Sequence, residues 1–310
     1  MTKVFIDGSQ GTTGLKIFDR IQKRKDIELI TLPEDLRKDT AARKQALNAA
    51  DIAFLCLPDA AAIEAVGLIE NDNTVVIDTS TAHRTESGWT YGFPELSKGI
   101  EKELEKSKRI AVPGCHASGF ISLVRPLVEN GFIDENTGLS CHSITGYSGG
   151  GKSMIAEYET DEKDELLNSP RQYGITQNHK HLKEMTAITG LRISPIFCPI
   201  VSDYFSGMLV TVPIFKKNLL CQKTAEDIKT LYKSIYNSSI VTYKEGIDEN
   251  GFIASNYKSG KDSMEITVCG NNERILLISR YDNLGKGASG AALECMNIVM
   301  GLNPEFDLNL

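Results

Sequence analysis

The sequence predicts an α/β protein: a doubly wound parallel-sheet domain followed by a second, α+β domain. Three observations predict it. The chain opens on a strand, a glycine turn and a helix. Apolar strands then alternate with helices as far as Val112. Beyond about residue 130 long strands dominate, with few helices between them.

Lys3–Asp7, KVFID, is a short apolar strand. Gly8, Gly11 and Gly14 follow as G-x-x-G-x-x-G, and Leu15, Phe18 and Ile21 then recur at helical spacing. A glycine turn between strand and helix lets a diphosphate approach the N–H groups of the first helical turn, so this opening reads as a dinucleotide site of Rossmann type, with Thr12 and Thr13 in the turn. A second strand, Ile27–Leu32, ends at Pro33. Glu34 or Asp35 there suits the ribose hydroxyls of NAD, and Arg37 with Lys38 suits the 2′-phosphate of NADP; the basic pair favours NADP. Thr40–Ala50 reads as a helix, Asp51–Leu57 as a strand buried on both faces, Pro58–Glu70 as a helix, Thr74–Asp78 as a strand and Ser97–Lys108 as a charged helix. The strand Arg109–Val112 enters Pro113, Gly114 and Cys115, ahead of a helix over Ala117–Glu129. Ligands of such sheets bind at the C-terminal strand ends, here marked by Gly8, Pro58, Thr79 and Cys115. In the second part, Ser140–Thr145, Ile196–Val201, Met208–Phe215, Met264–Gly270 and Arg274–Tyr281 read as strands. Lys223–Tyr236 and Leu284–Met300 read as helices.

The 310 residues are 41% hydrophobic and 24% charged with a formal net charge of −7, as expected of a folded chain. No basic tract favours nucleic acid or an anionic membrane, and no apolar run approaches the length of a membrane span. The seven cysteines are odd in number and include no C-x-x-C pair. Reduced thiols in a cytoplasmic setting are therefore expected, with neither a disulfide framework nor a metal site.

Cys115 is the sharpest candidate for chemistry. A thiol between a strand and a helix start meets backbone N–H groups and the positive helix end, which favour the nucleophilic thiolate. His179, His181 and Glu184, in HKHLKE, offer acid/base groups for such a thiol. Arg84, in DTSTAHR, presents a planar fork for carboxylate or phosphate. GYSGGGKS at 146–153 spells a phosphate loop. It stands mid-chain without a strand ending in a magnesium-binding aspartate, so a glycine strip near nicotinamide or substrate, including Gly149, is the preferred reading over a P-loop NTPase or kinase.

GSQGTTG at 8–14, DTSTAHR at 78–84, YGFPEL at 91–96, VPGCHASG at 112–119, GYSGGGKSM at 146–154, HKHLKE at 179–184 and DNLGKGASGAA at 282–292 together resemble the shorter form of N-acetyl-γ-glutamyl-phosphate reductase, end to end. Lys183 stands where many longer members have proline. The resemblance implies NADPH-dependent reduction of N-acetyl-γ-glutamyl phosphate to N-acetylglutamate semialdehyde, in arginine biosynthesis, with Cys115 carrying a thioester. It implies that His179, His181 and Glu184 are catalytic, that Ser80, Arg84 and His181 bind substrate, and that Ser80, Gly149 and Asn283 lie at the cofactor. It also implies that residues 117–284 form an inserted catalytic and dimerisation domain, that residues 1–116 and 285–310 form the nucleotide domain, and that the chain assembles as a dimer or tetramer. A non-catalytic NADPH-binding protein is the remaining alternative.

Overall fold

A computed structural model describes residues 1–310 as two compact units. Unit 1 comprises Met1–Pro94, Gly99–Pro113 and Ala291–Phe306; unit 2 comprises Glu95–Lys98, Gly114–Gly290 and Asp307–Leu310. Both divisions differ from the expected ones for local reasons. Cys115 is itself the first residue of a helix of unit 2. Gly285–Ser289 forms a π-helical turn, and a Cβ at Gly285 would meet Lys261 O at 1.9 Å, so this turn packs on unit 2. The expected continuous C-terminal helix is therefore this turn followed by a regular helix, Gly290–Val299.

Unit 1 runs β1 (Thr2–Asp7), α1 (Thr12–Ile21), β2 (Ile27–Ile30), α2 (Thr40–Ala49), β3 (Ile52–Leu55), α3 (Asp59–Gly67), β4 (Val75–Asp78), β5 (Thr90–Tyr91), α4 (Ile100–Leu104) and β6 (Arg109–Ala111). All strands are parallel, in the order β2-β1-β3-β4-β6-β5. β3 and β4 are buried at every position, as helices on both faces of a parallel sheet require. Asp39 caps α2 by accepting Ala42 N–H at 2.8 Å. The charged helix expected over 97–108 shrinks to α4. Gly99, at φ 105°, bars it from starting earlier, and Ser107 Oγ binds the backbone of Arg109 at its end. The strand order reverses between β1 and β3, which is where such sheets open a ligand crevice.

Unit 2 runs α5 (Cys115–Glu129), β7 (Ser140–Gly146), α6 (Gly151–Tyr158), β8 (Arg171–Gln172), α7 (His181–Thr189), β9 (Ile196–Ser202), β10 (Met208–Phe215), α8 (Ala225–Ile235), β11 (Val241–Tyr243), β12 (Met264–Gly270) and β13 (Arg274–Tyr281). Its mixed sheet has the order β11-β12-β13-β10-β7-β9-β8. In β10, Met208, Val210, Val212 and Ile214 are buried while the residues between them are not, the period of two expected of a sheet with one covered face. α5 is the covering helix: Gly119 packs on Val210 of β10 and on Ser279 and Tyr281 of β13. Tyr236, the C-cap residue of α8, donates to Ser122 O of α5 at 2.6 Å.

Candidate active site

The site in unit 2 is built on the first turn of α5. Gly114 precedes it in an extended conformation, with φ −75° and ψ 144°, and brings no side-chain cap. Its N–H instead donates to Glu184 Oε1 of α7 at 2.8 Å, in a buried contact. Tyr281 Oη donates to Cys115 O at 2.5 Å and accepts Gly119 N–H at 3.0 Å. A tyrosine hydroxyl is thus inserted where a helix would join residue i to i+4, which holds this turn in register from β13. A Cβ at Gly287 would lie 3.0 Å from Cys115 Cβ, so the π-helical turn packs against the same residue. Cys115 is half-buried, whereas Cys141 and Cys295 are fully inside.

Three histidines gather beside it. His116 Nε2 is 2.6 Å from Tyr173 Oη, and His116 Nδ1 is 2.6 Å from Ser143 Oγ. Ring centroids lie 5.8 Å apart for His116 and His179, 5.6 Å for His116 and His181, and 4.8 Å for His179 and His181. Burial, reinforced by His179 and Lys180, pushes His116 down to about 3, so its imidazole is neutral at pH 7. Burial and Lys180 lower His179 as well. Tyr173 is raised, first by burial and then by Cys115. His179, His181 and Glu184 are therefore neighbours of Cys115's turn, with Glu184 bound to the backbone just ahead of it. His116 and Tyr173 were not read as site residues from sequence. The adjacency of His116 to Cys115 was their one visible signal.

In unit 1, the ends of β1 and β3 meet at Gly8. Its φ is 88°, and a Cβ there would lie 2.3 Å from Cys56 O, so only glycine fits. A Cβ at Gly14 would lie 2.3 Å from Gly8 O. Gly11 N–H closes the turn onto Gly8 O at 3.0 Å and serves as N-cap of α1, whose first turn, with Thr12 and Thr13, carries no acid. That is the donor set a diphosphate needs, so these residues fit a dinucleotide. Arg37 and Lys38 follow a short 3₁₀ turn, Glu34–Leu36, beyond β2; Arg37 is half-exposed and Lys38 exposed.

After β4, Asp78 is fully buried and accepts from Ser80 Oγ at 2.7 Å, with His83 Nδ1 at 2.6 Å; the His83 ring stacks on Trp89. Arg84 donates from Nε to Val112 O and from Nη2 to Thr79 O, both at 2.9 Å. It braces two strand ends, a task that the fork read from sequence did not reveal.

Gly149 and Asn283 come together in unit 2. Asn283 Oδ1 accepts Gly207 N–H at 2.9 Å, and its Nδ2 donates to Ser148 Oγ at 3.0 Å. Asn283 thereby shapes the glycine loop from behind. That loop follows β7, which lies inside the mixed sheet between β10 and β9, and Lys152 and Ser153 are exposed on α6. β7 runs parallel to β9 but antiparallel to β10, unlike the all-parallel sheet in which a phosphate loop of the NTPase alternative works.

Comparison with known proteins decides between these readings. Residues 3–103 match the family model "Semialdehyde dehydrogenase, NAD binding domain", and residues 115–283 match "Semialdehyde dehydrogenase, dimerisation domain". The chain is 43% identical over 305 residues to N-acetyl-gamma-glutamyl-phosphate reductase of Chelativorans sp. (strain BNC1), covering 96% of this chain and 98% of that one. It is 42% identical to the enzyme of that name from Mesorhizobium japonicum, covering 97% and 99%. The chain belongs to the N-acetyl-gamma-glutamyl-phosphate reductases. In fold, this reductase resembles aspartate semialdehyde dehydrogenase II of Vibrio cholerae, with a TM-score of 0.70 at 16% identity over 97% of this chain and 98% of that chain. It likewise resembles the Candida albicans aspartate semialdehyde dehydrogenase solved with NADP, with a TM-score of 0.67 at 14% identity over 97% and 98%.

Proposed function

We propose that the protein reduces N-acetyl-γ-glutamyl phosphate to N-acetylglutamate 5-semialdehyde with NADPH, releasing phosphate, as a step of arginine biosynthesis. The observation that carries this reading is a half-buried cysteine opening α5, beside neutral histidines, in a chain 43% identical to a reductase of that name. Cys115 Sγ gives its proton to His179 and attacks the acyl carbon. The helix start stabilises the oxyanion that develops there. The C–O bond to phosphate breaks, phosphate takes the proton from His179, and a thioester remains on Cys115. NADPH, when held by Gly8, Gly11, Thr12, Thr13 and Gly14, supplies the hydride. The alkoxide then expels Cys115 as thiolate and leaves the aldehyde. Burial suits His179 to this exchange, because a lowered imidazole is neutral and able to accept at pH 7. Glu184 and His181 position the turn and the imidazoles.

The assay runs backwards, with NADP, phosphate and either N-acetylglutamate semialdehyde or aspartate semialdehyde. The acetylated substrate is expected to react, and Cys115→Ser to bind NADPH while losing ~10³-fold or more in kcat. Substantial turnover by that variant rejects the nucleophile, and a preference for aspartate semialdehyde rejects the substrate. Arg37 and Lys38 are assigned to the 2′-phosphate. Replacing both with alanine should weaken NADPH about tenfold or more and leave NADH unchanged, as titrated by thermal shift.

No helix is long and apolar enough to cross a membrane. All seven cysteines are free, which supports a reducing, cytoplasmic setting. The match of residues 115–283 to a dimerisation domain supports a homo-oligomer built through unit 2.

A further inference from the structure

We propose that Arg171 receives an oxyanion of the substrate, either its carboxylate or its phosphoryl group, beside the reacting thiol. The inference rests on the reductase reading above. Arg171 lies in β8 opposite Val201 of β9, and Tyr173 continues that register by donating its N–H to Pro199 O at 3.0 Å. Strand alternation puts Arg171 and Tyr173 on one face, roughly 7 Å apart along the chain. Tyr173 is the residue whose hydroxyl lies 2.6 Å from Nε2 of His116, the next residue after Cys115 in α5.

The guanidinium is held ready. Nη2 donates to Tyr158 Oη at 2.9 Å, and Cζ lies 5.4 Å from the Tyr158 ring centroid. Nε is buried and has no hydrogen-bond partner, and no carboxylate pairs with this arginine. The buried arginines differ. Arg43 is paired with Asp7, Arg280 with Glu265, and Arg84 donates to two carbonyls. A buried N–H without an acceptor is costly, and an arriving anion removes that cost while matching the planar fork. The proposed substrate carries two anionic groups and needs such a partner for at least one of them.

Kinetics in the reverse direction test this with wild type, Arg171→Gln and Arg171→Lys, varying the semialdehyde and phosphate separately at saturating NADP. One KM should rise about ten- to hundredfold in Arg171→Gln, with kcat within about threefold and partial rescue by lysine. A raised semialdehyde KM identifies the carboxylate, and a raised phosphate KM the phosphoryl group. Both constants unchanged, or a loss confined to kcat, overturns the proposal. In parallel, N-acetylglutamate and inorganic phosphate are titrated by thermal shift. One of them should stabilise wild type and not Arg171→Gln, and equal behaviour of the two proteins counts against Arg171 even if no turnover is found. A wild type inactive on the acetylated semialdehyde rejects the reductase reading alone. Should Arg171→Gln not fold, Arg171→Lys carries the same comparison.

Discussion

Cys115 differs from the other cysteines by what surrounds the sulfur. Burial pushes the Cys56 thiol up to about 12 and raises Cys141 further, so neither ionises near neutrality. Cys115 instead opens a helix and stays half-buried. His116, next to it, makes a sharp prediction. Its folded form resists protonation down to about 3, whereas an unfolded histidine titrates near 6.5. Between those values the unfolded chain binds the extra proton, so stability is complete above about pH 6.5 and falls as pH drops towards 3. The groups facing the ring are His179, His181, Tyr173, Ser143 and Phe197, and Lys180 adds its positive charge. His179, also lowered, acts in the same direction. Urea midpoints should therefore fall below pH 6 by up to about 1.4 kcal/mol per pH unit per histidine. His116→Gln, which keeps a donor and an acceptor, should flatten that slope; identical slopes would refute the assignment.

At the scale of elements, α5 does more than carry the thiol. Its first turn is fixed from three directions: by Glu184 of α7, by Tyr281 of β13 and by the π-helical turn at Gly287. Gly119 is the contact that allows this closeness. A Cβ there would lie 2.5 Å from Val210 Cγ2, 2.6 Å from Tyr281 Oη and 2.7 Å from Ser279 Oγ. Gly119→Ala should destabilise the protein by about 3 kcal/mol and displace the Tyr281 hydroxyl from the helix. Equilibrium denaturation reads the first effect. A loss of kcat larger than any change in NADPH affinity reads the second. A stable, fully active alanine variant would show that α5 does not need this packing.

At the scale of the whole molecule, the outer face of the mixed sheet is the surface to follow. Ile196 is 64% exposed, Phe215 55% and Leu276 37%, with half-buried Ile144, Ile200, Leu209 and Pro213 between them. Apolar side chains gathered on this face, with the polar His142 and Thr211 among them, suit an interface. A second copy is the natural cover for a region matching a dimerisation domain. Leu276→Glu should lower the sedimenting mass of the assembly without loss of secondary structure. An unchanged mass would place the interface elsewhere.

The glycine turn of Gly8 and Gly14, the alternating elements of unit 1, the long strands of unit 2 and the place of Cys115 at a strand–helix turn were all legible in the sequence alone. These are local facts, set by backbone freedom, by the spacing of apolar residues and by a single side-chain type at a strand–helix turn. Met208–Phe215, Met264–Gly270 and Arg274–Tyr281 were legible to the residue because their apolar runs are long and bounded. Only the tertiary structure decided what the polar residues touch. Arg84, read as a ligand fork, also braces carbonyls; Asn283, read as a cofactor contact, also shapes a loop; Tyr173, which carried no signal, touches His116. Their partners lie tens of residues away in sequence, and a hydrogen bond leaves no period along the chain by which it can be read.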